Sequence, residues 1–233
     1  LKPLLEIVYR NQNGLESYLN YKSQVFVDGS TYVNTYNGNL VGVFNLGNTI
    51  SNKLPVSLNL IYNTNDVLIK NNGFKFNLNQ TIHNLTLDNN EYLEYEDEDG
   101  TIHYFYKEMD SSTIYYDEDG LNLTIEKDDN CCYMNVKYNN KKIFQKSANG
   151  VYYLTKIEDV SLNAINIILD SNNRITKIQD GNNLEILIQY ENNKTIITSP
   201  DRITVLNYSN NSVTSIVTMN GTASFTYNEN NLI

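Results

Sequence analysis

The chain contains no tryptophan, three prolines and two cysteines among its 233 residues. The cysteines, Cys131 and Cys132, are adjacent, and adjacent cysteines form a disulfide only with strain. This excludes a disulfide framework, and so low a cysteine content is compatible with both an exported bacterial protein and a cytosolic one. No apolar run approaches the roughly 18 residues that indicate a membrane-spanning helix, and the first residues do not form a signal peptide but resemble the tail of something upstream.

Basic residues are also scarce. The 17 lysines and arginines stand against 27 aspartates and glutamates, which gives a net charge of −10 and a pI of about 4.6. Nucleic-acid binding needs clustered positive charge to contact phosphates, so this composition argues against nucleic acid as a partner. The same deficit argues against docking on anionic membranes.

The abundant residues favour β-structure. The chain has 19 tyrosines and about 40 asparagines; tyrosine favours pleated, half-buried surfaces and asparagine favours turns. Alternating runs are separated by turn pairs such as Asp28-Gly29, Asn37-Gly38, Asp99-Gly100 and Asp119-Gly120. No segment of about ten residues has helical periodicity, and residues 80–87 alternate as a strand does. We therefore predict an all-β fold of about 18 to 20 short strands in meandering antiparallel hairpins.

The last third of the chain contains a spacing pattern. Alternating runs end at Tyr190, Tyr208 and Tyr227, which are 18 and 19 residues apart, and asparagine-rich turn residues follow each tyrosine. Leu169 holds the same place 21 residues before Tyr190. A period near 20 residues with a turn inside each unit indicates repeated β-hairpins. Chains of this kind build walls or shells more often than active sites.

Several further segments occur in a characteristic order. They are Tyr18-Leu19-Asn20-Tyr21-Lys22-Ser23-Gln24, Thr31-Tyr32-Val33-Asn34-Thr35-Tyr36-Asn37-Gly38-Asn39-Leu40-Val41, Leu54-Pro55-Val56-Ser57-Leu58, Gly73-Phe74-Lys75-Phe76-Asn77, Tyr95-Glu96-Asp97-Glu98-Asp99-Gly100-Thr101-Ile102-His103-Tyr104-Phe105, and Leu169-Asp170 with Arg174-Ile175-Thr176-Lys177-Ile178. Together they resemble the start of the repeat region in bacterial Rhs/YD-repeat proteins, most closely the wall-associated type. The chain departs from the family at Phe74, where tryptophan is usual, and after its repeat tyrosines, where aspartate is usual.

The resemblance implies a ribbon of β-hairpins wound into a YD-repeat spiral or partial shell. In many such proteins the shell encloses a variable C-terminal toxin, and in others it serves adhesion. We accordingly divide the chain into the end of a preceding domain with linker strands (1–29), a β-rich region that leads into the repeat shell (30–160) and degenerate YD-type hairpin repeats (161–233).

The predicted function is a non-catalytic structural segment of a secreted or cell-surface bacterial protein, one that scaffolds or encloses a C-terminal toxin or effector. The expected partners are the remaining repeats and the C-terminal domain of the same parent chain. A piece of such a ribbon would expose a strand edge, which favours self-association.

Few residues have catalytic or ligand-binding chemistry. His83 and His103 are the only histidines, and no partner residue is indicated beside either, so we interpret both as structural. The acidic runs at 96–99 and 117–119 offer oxygen ligands for calcium but lack the EF-hand pattern, and we interpret them as solvated hairpin turns. Cys131 and Cys132 predict a packed thiol beside an exposed one. We therefore assign no catalytic, cofactor-binding or metal-binding residue, and we predict neither an enzyme nor a cofactor.

Two alternative functions stay open. Tyrosine rows either stack on sugars or pair across strands, and at this density we favour packing. A cell-surface adhesin or carbohydrate-binding module would present an exposed groove lined by tyrosine and asparagine, with cell-surface glycans as partners. An enzyme would need a deep pocket that gathers His83 or His103 with carboxylates, as in a glycosidase.

Overall fold

The computed structural model describes residues 14–16, 19–65, 73–109, 112–136, 140–229 and 232–233. The strand predicted at residues 5–9, the linker at 10–13, Tyr18 and part of the turn at 139–140 lie outside these ranges. Within them the chain forms twenty strands that pair antiparallel, which confirms the predicted all-β class. In the same ranges no helix is both long and apolar enough to cross a bilayer.

The first five strands form one sheet in chain order, here called the five-stranded sheet. Its strands are β1 (Tyr21–Phe26), β2 (Gly29–Asn34), β3 (Leu40–Asn48), β4 (Ser57–Asn63) and β5 (Phe74–Phe76). Pro55 lies just before β4, where its missing N–H removes no ladder bond, as predicted. The predicted hairpin between β1 and β2 is present, but its turn residues are Val27 and Asp28, because Gly29 already pairs with Phe26.

The next eight strands close into a barrel, which the sequence did not predict. They are β6 (Thr81–Leu87), β7 (Asn90–Glu96), β8 (Ile102–Tyr106), β9 (Ile114–Asp117), β10 (Thr124–Lys127), β11 (Cys131–Asn135), β12 (Lys141–Lys146) and β13 (Tyr152–Glu158). Large side chains such as Phe105, Met134 and Phe144 are fully buried and fill the interior, so the barrel is a packed core. Cys132 is buried among them, as predicted for one thiol of the pair, whereas Cys131 is half-buried and not exposed as predicted. Burial raises the pKa of Cys132 to about 12.

Strand β13 both closes the barrel and leads out of it. One edge pairs with β12 along the whole strand. On the other edge Tyr152 and Tyr153 pair with β6, whereas residues 156–158 pair with the next strand, β14. The backbone N–H of Leu154 donates to Gln80 at 3.1 Å, between these two pairings. The backbone of one strand is thus shared by the barrel and by the sheet that follows.

Seven further strands extend from β13 as a meander, here called the repeat sheet. They are β14 (Ala164–Leu169), β15 (Ile175–Gln179), β16 (Glu185–Glu191), β17 (Lys194–Thr198), β18 (Ile203–Ser209), β19 (Ser212–Thr218) and β20 (Gly221–Ser224). The hairpins β14–β15, β16–β17 and β18–β19 match the predicted repeat units. A spiral of YD repeats stays a prediction.

The five-stranded sheet packs on the repeat sheet, and residues of both share one hydrophobic core with the barrel. Polar contacts join the two layers along their length: Arg202 pairs with Asp28 at 2.8 Å, and the Thr204 hydroxyl donates to the Leu46 carbonyl at 2.6 Å. Phe225, which follows β20, packs at 5.3 Å between ring centroids against both Phe44 and Phe74. The layers therefore form a sandwich, with the barrel continuing one of them.

A single turn geometry recurs in both the barrel and the repeat sheet. In each case one aspartate oxygen accepts hydrogen bonds from the backbone N–H groups two and four residues later, and the fourth residue of the turn has positive φ. The turns begin at Asp97, Asp159, Asp170 and Asp180, with positive φ at Gly100, Leu162, Asn173 and Asn183. Asparagine and glycine suit this position because they adopt left-handed backbone at low cost. At the predicted Asn37-Gly38 hairpin only Gly38 has positive φ, whereas both residues do in Asp88-Asn89 and Asn210-Asn211.

The repeat tyrosines connect each hairpin to the one before it. The Tyr190 hydroxyl donates to the Ile175 carbonyl at 2.8 Å, and the Tyr227 hydroxyl donates to the Val213 carbonyl. The Tyr208 hydroxyl accepts from Thr195 at 3.2 Å. Each partner lies at the start of the preceding return strand, 13 to 15 residues earlier in the chain. The spacing seen in the sequence therefore has a structural basis, in which each unit is tied to its predecessor.

We expect Tyr190→Phe to lower the free energy of unfolding by about 1 kcal/mol, because it leaves the ring in place and removes one hydrogen bond to a backbone carbonyl. Urea unfolding followed by circular dichroism would measure the loss. The matched control is Tyr36→Phe, at a tyrosine that is 85% exposed. Equal stability of the two variants would contradict a stabilising role for the repeat tyrosines.

Candidate functional site

A groove of about 520 Å³ lies between strands β4 and β5 and the turns of the repeat sheet. All three repeat tyrosines line it, together with aromatic residues of the five-stranded sheet and several asparagines. Its principal lining residues are Tyr62, Phe74, Asn79, Asn173, Arg174, Tyr190, Tyr208, Asn210, Asn211 and Tyr227. The volume is in the range of small-molecule sites. We call this cavity the tyrosine groove.

The aromatic residues of the tyrosine groove differ in how far they are committed to packing. Tyr62 is buried and packs on Phe74 with ring centroids 5.1 Å apart. The Arg174 guanidinium lies 4.3 Å from the centroid of the Tyr190 ring and covers one of its faces. Tyr208 and Tyr227 are half-buried, with their hydroxyls held by hydrogen bonds to the preceding hairpins. The rings are therefore held rigid, which lowers the entropy cost of stacking a ligand against them.

The amide groups of the groove are available for hydrogen bonding. The side chains of Asn79, Asn210 and Asn211 are exposed and make no hydrogen bond to any other described residue. Asn210 and Asn211 form a two-residue turn with φ of 50° and 66°, so the backbone holds both amides at the groove rim. An amide offers both a donor and an acceptor, which is the combination that hydroxyl-rich ligands use.

The charged groups near the groove are already paired. Arg174 contacts Asp170 at 2.7 Å, and Lys75 contacts Glu96 at 3.0 Å. Burial raises the pKa of Tyr227 to about 12, so its hydroxyl stays neutral. The tyrosine groove therefore combines ring faces with neutral hydrogen-bonding groups, and none of these is a nucleophile paired with a base.

The structure brings His103 together with carboxylates at a second place, in the barrel. Its Nδ1 lies 2.8 Å from Asp119 and its Nε2 lies 3.3 Å from Asp97, while its ring stacks on Tyr95. Burial alone would lower the pKa of His103, but the hydrogen bonds to Asp119 and Asp97 outweigh burial and raise the pKa to about 9. His103 is therefore an imidazolium between two carboxylates, and its role is to hold two acidic turns together.

Asp99 of the same turn is buried, and it ties three parts of the chain together. Its carboxylate accepts from the Leu15 N–H and the Thr101 hydroxyl, each at 2.7 Å, and its carbonyl accepts from the Asn63 side chain at 2.8 Å. Burial and the charge of Asp97 raise the pKa of Asp99 to about 7. The prediction of solvated acidic turns is thus wrong for Asp99: the turns are hairpins, but this carboxylate is enclosed.

Other candidates from the sequence stay separate. His83 contacts the Thr81 hydroxyl at 3.2 Å and is not joined to His103. Neither histidine lines the tyrosine groove. In the described ranges no group of three or more His, Cys, Asp or Glu side chains is arranged to hold a metal ion. Asp97 and Asp119, the carboxylate partners of His103, do not line the tyrosine groove either.

The tyrosine groove could be located only with the tertiary structure. Its rim comes from residues 60–79 and 173–227, which are far apart in the chain. The one indication in the sequence was the expectation that a carbohydrate-binding module would present a groove lined by tyrosine and asparagine. A groove of that composition is present.

No protein-family model matches this chain, and no curated protein matches it in sequence. The resemblance to Rhs/YD-repeat proteins therefore stays a prediction.

We expect the stability of the chain to fall as pH rises from about 4 to 9. A group whose pKa is higher in the folded than in the unfolded chain stabilises the folded state at pH values below its ordinary pKa. This contribution to the free energy of unfolding is lost as pH rises through the pKa of the folded state. For Asp99 this loss occurs between about 4 and about 7, and for His103 between about 6.5 and about 9. Urea unfolding at stepped pH would measure both, with an expected total of at most a few kcal/mol.

Two substitutions separate the two contributions. Asp99→Asn should flatten the lower part of the pH profile, and His103→Gln should flatten the upper part. His83→Gln serves as the control because His83 has no carboxylate partner in the described chain. An unchanged slope between about pH 6.5 and 9 in His103→Gln would show that the ion pairs with Asp97 and Asp119 do not stabilise the fold.

Proposed function

We propose that this chain is a non-catalytic structural segment of an exported bacterial protein of the Rhs/YD-repeat type. In this role it builds part of a β shell that scaffolds or encloses a C-terminal toxin or effector domain. The observation that supports the proposal most directly is the uninterrupted meander from β13 to β20, in which each repeat tyrosine bonds to the preceding hairpin.

The arrangement of the repeat hairpins suits a role as part of the wall of a shell. Each hairpin contacts mainly its neighbours in the sheet, so further units can be added without altering the earlier ones. Most inward residues of the repeat strands are isoleucine, leucine and valine, such as Ile178, Ile197 and Leu206, and the buried Thr195 and Thr204 lie on the same face. The five-stranded sheet covers this face. The barrel provides a rigid starting point.

The neighbouring coding sequence and the shape of the intact protein test this proposal. We expect the gene to encode many more units of about 20 residues after this segment, followed by an unrelated C-terminal domain. Electron microscopy of the intact protein should then show a hollow shell. A parent protein without further repeat units, or one with an extended and open structure, would overturn the proposal.

A carbohydrate-binding module is the second candidate, and the composition of the tyrosine groove favours it. Ring faces that are held rigid, free amides at the rim and the absence of unpaired charge fit a neutral oligosaccharide better than an ionic ligand. The two functions are compatible, since a wall segment of a cell-surface protein can also bind glycans.

Glycan binding is tested by removing the rim amides without disturbing the turn. We expect Asn210→Gly with Asn211→Gly to weaken binding to neutral oligosaccharides by about tenfold or more, because glycine keeps the positive φ of both positions and deletes the amides. A neutral glycan array followed by calorimetry would measure this.

The second two-residue turn of this kind supplies the matched control. Asp88→Gly with Asn89→Gly makes the same two glycine replacements in a turn of the same backbone geometry. This turn does not line the groove, so glycan binding should be unchanged. The hypothesis of a carbohydrate-binding module is contradicted if the native chain binds no neutral glycan, or if both double variants bind equally well.

A further inference from the structure

The outer face of the barrel presents a line of tyrosines that the proposed function does not use. Residues that lie directly opposite one another on strands β7 to β11 form this line, and we call it the tyrosine row. In order, its members are Tyr92, Tyr106, Tyr116, Thr124 and Asn135. Each precedes or follows a side chain that is at most 1% exposed and fills the barrel interior, namely Leu93, Phe105, Tyr115, Ile125 and Met134. Because successive side chains of a strand point to opposite faces, the five members of the row all point outward.

Packing explains the rings of the tyrosine row but not its hydroxyls. The ring centroids of Tyr106 and Tyr116 lie 6.3 Å apart, and the rings are tilted by 45°, as cross-strand aromatic pairs can be. The three tyrosines are half-buried, and their hydroxyls make no hydrogen bond to any other described residue. The hydroxyls of the repeat tyrosines, in contrast, are all bonded. The row therefore has three hydroxyls that can donate to and accept from a ligand.

The tyrosine row belongs to the barrel alone. In the described chain, strands β7 to β11 make their main contacts with their neighbours in the barrel. No member of the row lines the tyrosine groove. All members lie on consecutive strands of the barrel, so their alignment does not depend on the repeat sheet. The row is therefore a surface separate from the groove.

The charges beside the tyrosine row favour a neutral ligand. Glu94 and Glu126 point outward from β7 and β10, two residues from Tyr92 and Thr124, and neither forms an ion pair with a described residue. Lys141 continues the line only on β12, at its far end. Two unpaired carboxylates therefore flank the row, and they would repel an anionic polymer.

The spacing of the tyrosine row matches that of a linear sugar chain. Neighbouring strands lie about 4.8 Å apart, so the row offers one side chain about every 5 Å. A pyranose unit in an extended β-1,4-linked chain advances by a similar length, so consecutive sugars meet consecutive side chains. A polyproline II peptide, which also docks on aromatic surfaces, turns once in about 9 Å and would meet only every second strand. The spacing therefore favours a polysaccharide over a proline-rich peptide.

We propose that the tyrosine row binds a neutral, extended β-1,4-linked polysaccharide that runs across strands β7 to β11. The rings of Tyr92, Tyr106 and Tyr116 contact successive sugar rings, and their hydroxyls bond the sugar hydroxyls. Asn135 Nδ2 donates to the Thr124 hydroxyl at 3.2 Å, which holds this amide at the end of the row. The proposal depends neither on the shell function nor on the tyrosine groove, although the ligand class is the one proposed for the groove.

Titration calorimetry with cellohexaose and chitohexaose tests the proposal, and a comparison of the two shows whether plain or N-acetylated sugars are preferred. Maltohexaose, whose α-linked chain is curved, should not bind. We expect Tyr106→Ala to weaken binding of the preferred hexaose by about tenfold or more, because it removes the central ring. Tyr36→Ala is the matched control, because Tyr36 is 85% exposed and lies outside the row.

A second variant separates binding from folding. Tyr92→Phe, Tyr106→Phe and Tyr116→Phe combined in one chain retain the three rings and delete hydroxyls that bond no described residue. The free energy of unfolding in urea should therefore be unchanged, while binding of the hexaose weakens by about tenfold.

The groove variant distinguishes the two surfaces. Asn210→Gly with Asn211→Gly should retain the binding that Tyr106→Ala removes. The proposal is overturned if neither hexaose binds, if both tyrosine-row variants bind as well as the native chain, or if maltohexaose or decaproline binds as tightly. Loss of binding in the groove variant alone would assign the glycan to the tyrosine groove and would also overturn the proposal.

Discussion

The backbone pairing of β13 is the interaction on which the rest of the structure depends. Its one edge is fully used by β12, and its other edge is divided between β6 and β14. Buried backbone groups need partners, so this division lets a closed barrel and an extended sheet share a strand without leaving unpaired groups between them. The barrel is then closed, and the repeat sheet takes its first strand from it. Disruption of β13 would remove both properties at once.

The surplus of acidic residues has a structural explanation. Four aspartates accept backbone N–H groups in the recurring turn. Asp28 joins the two layers through its ion pair with Arg202, and Asp201 joins them by accepting the Asn48 N–H. Asp97 and Asp119 hold His103. Hydrogen bonds outweigh burial and keep the pKa of the four turn aspartates, and of Asp28 and Asp201, below the ordinary value, so these six carboxylates stay charged and contribute to the fold.

Tyrosine has a double role in the repeat sheet. The hydroxyls of Tyr190, Tyr208 and Tyr227 connect successive hairpins, and the same three rings line the tyrosine groove. The prediction that the tyrosines serve packing and not ligand binding therefore holds for their hydroxyl ends. Part of each ring remains accessible in the groove. Because the hairpins repeat at near-constant spacing, the three tyrosines line the same side of the groove, and the five-stranded sheet supplies the other side.

The amino-acid sequence by itself determined the all-β class, the hairpin positions and the repeat spacing, because alternation and turn residues act over a few neighbouring positions. It also indicated that one of the two adjacent cysteines is packed, but not which one. Only the tertiary structure decided which strands pair across long separations, and hence the closed barrel and the forked β13. The partners of His103 and the burial of Asp99 were decided there too, because Asp119 and Leu15 approach them from distant turns. The tyrosine groove depends in the same way on how two sheets stack, which no local pattern specifies.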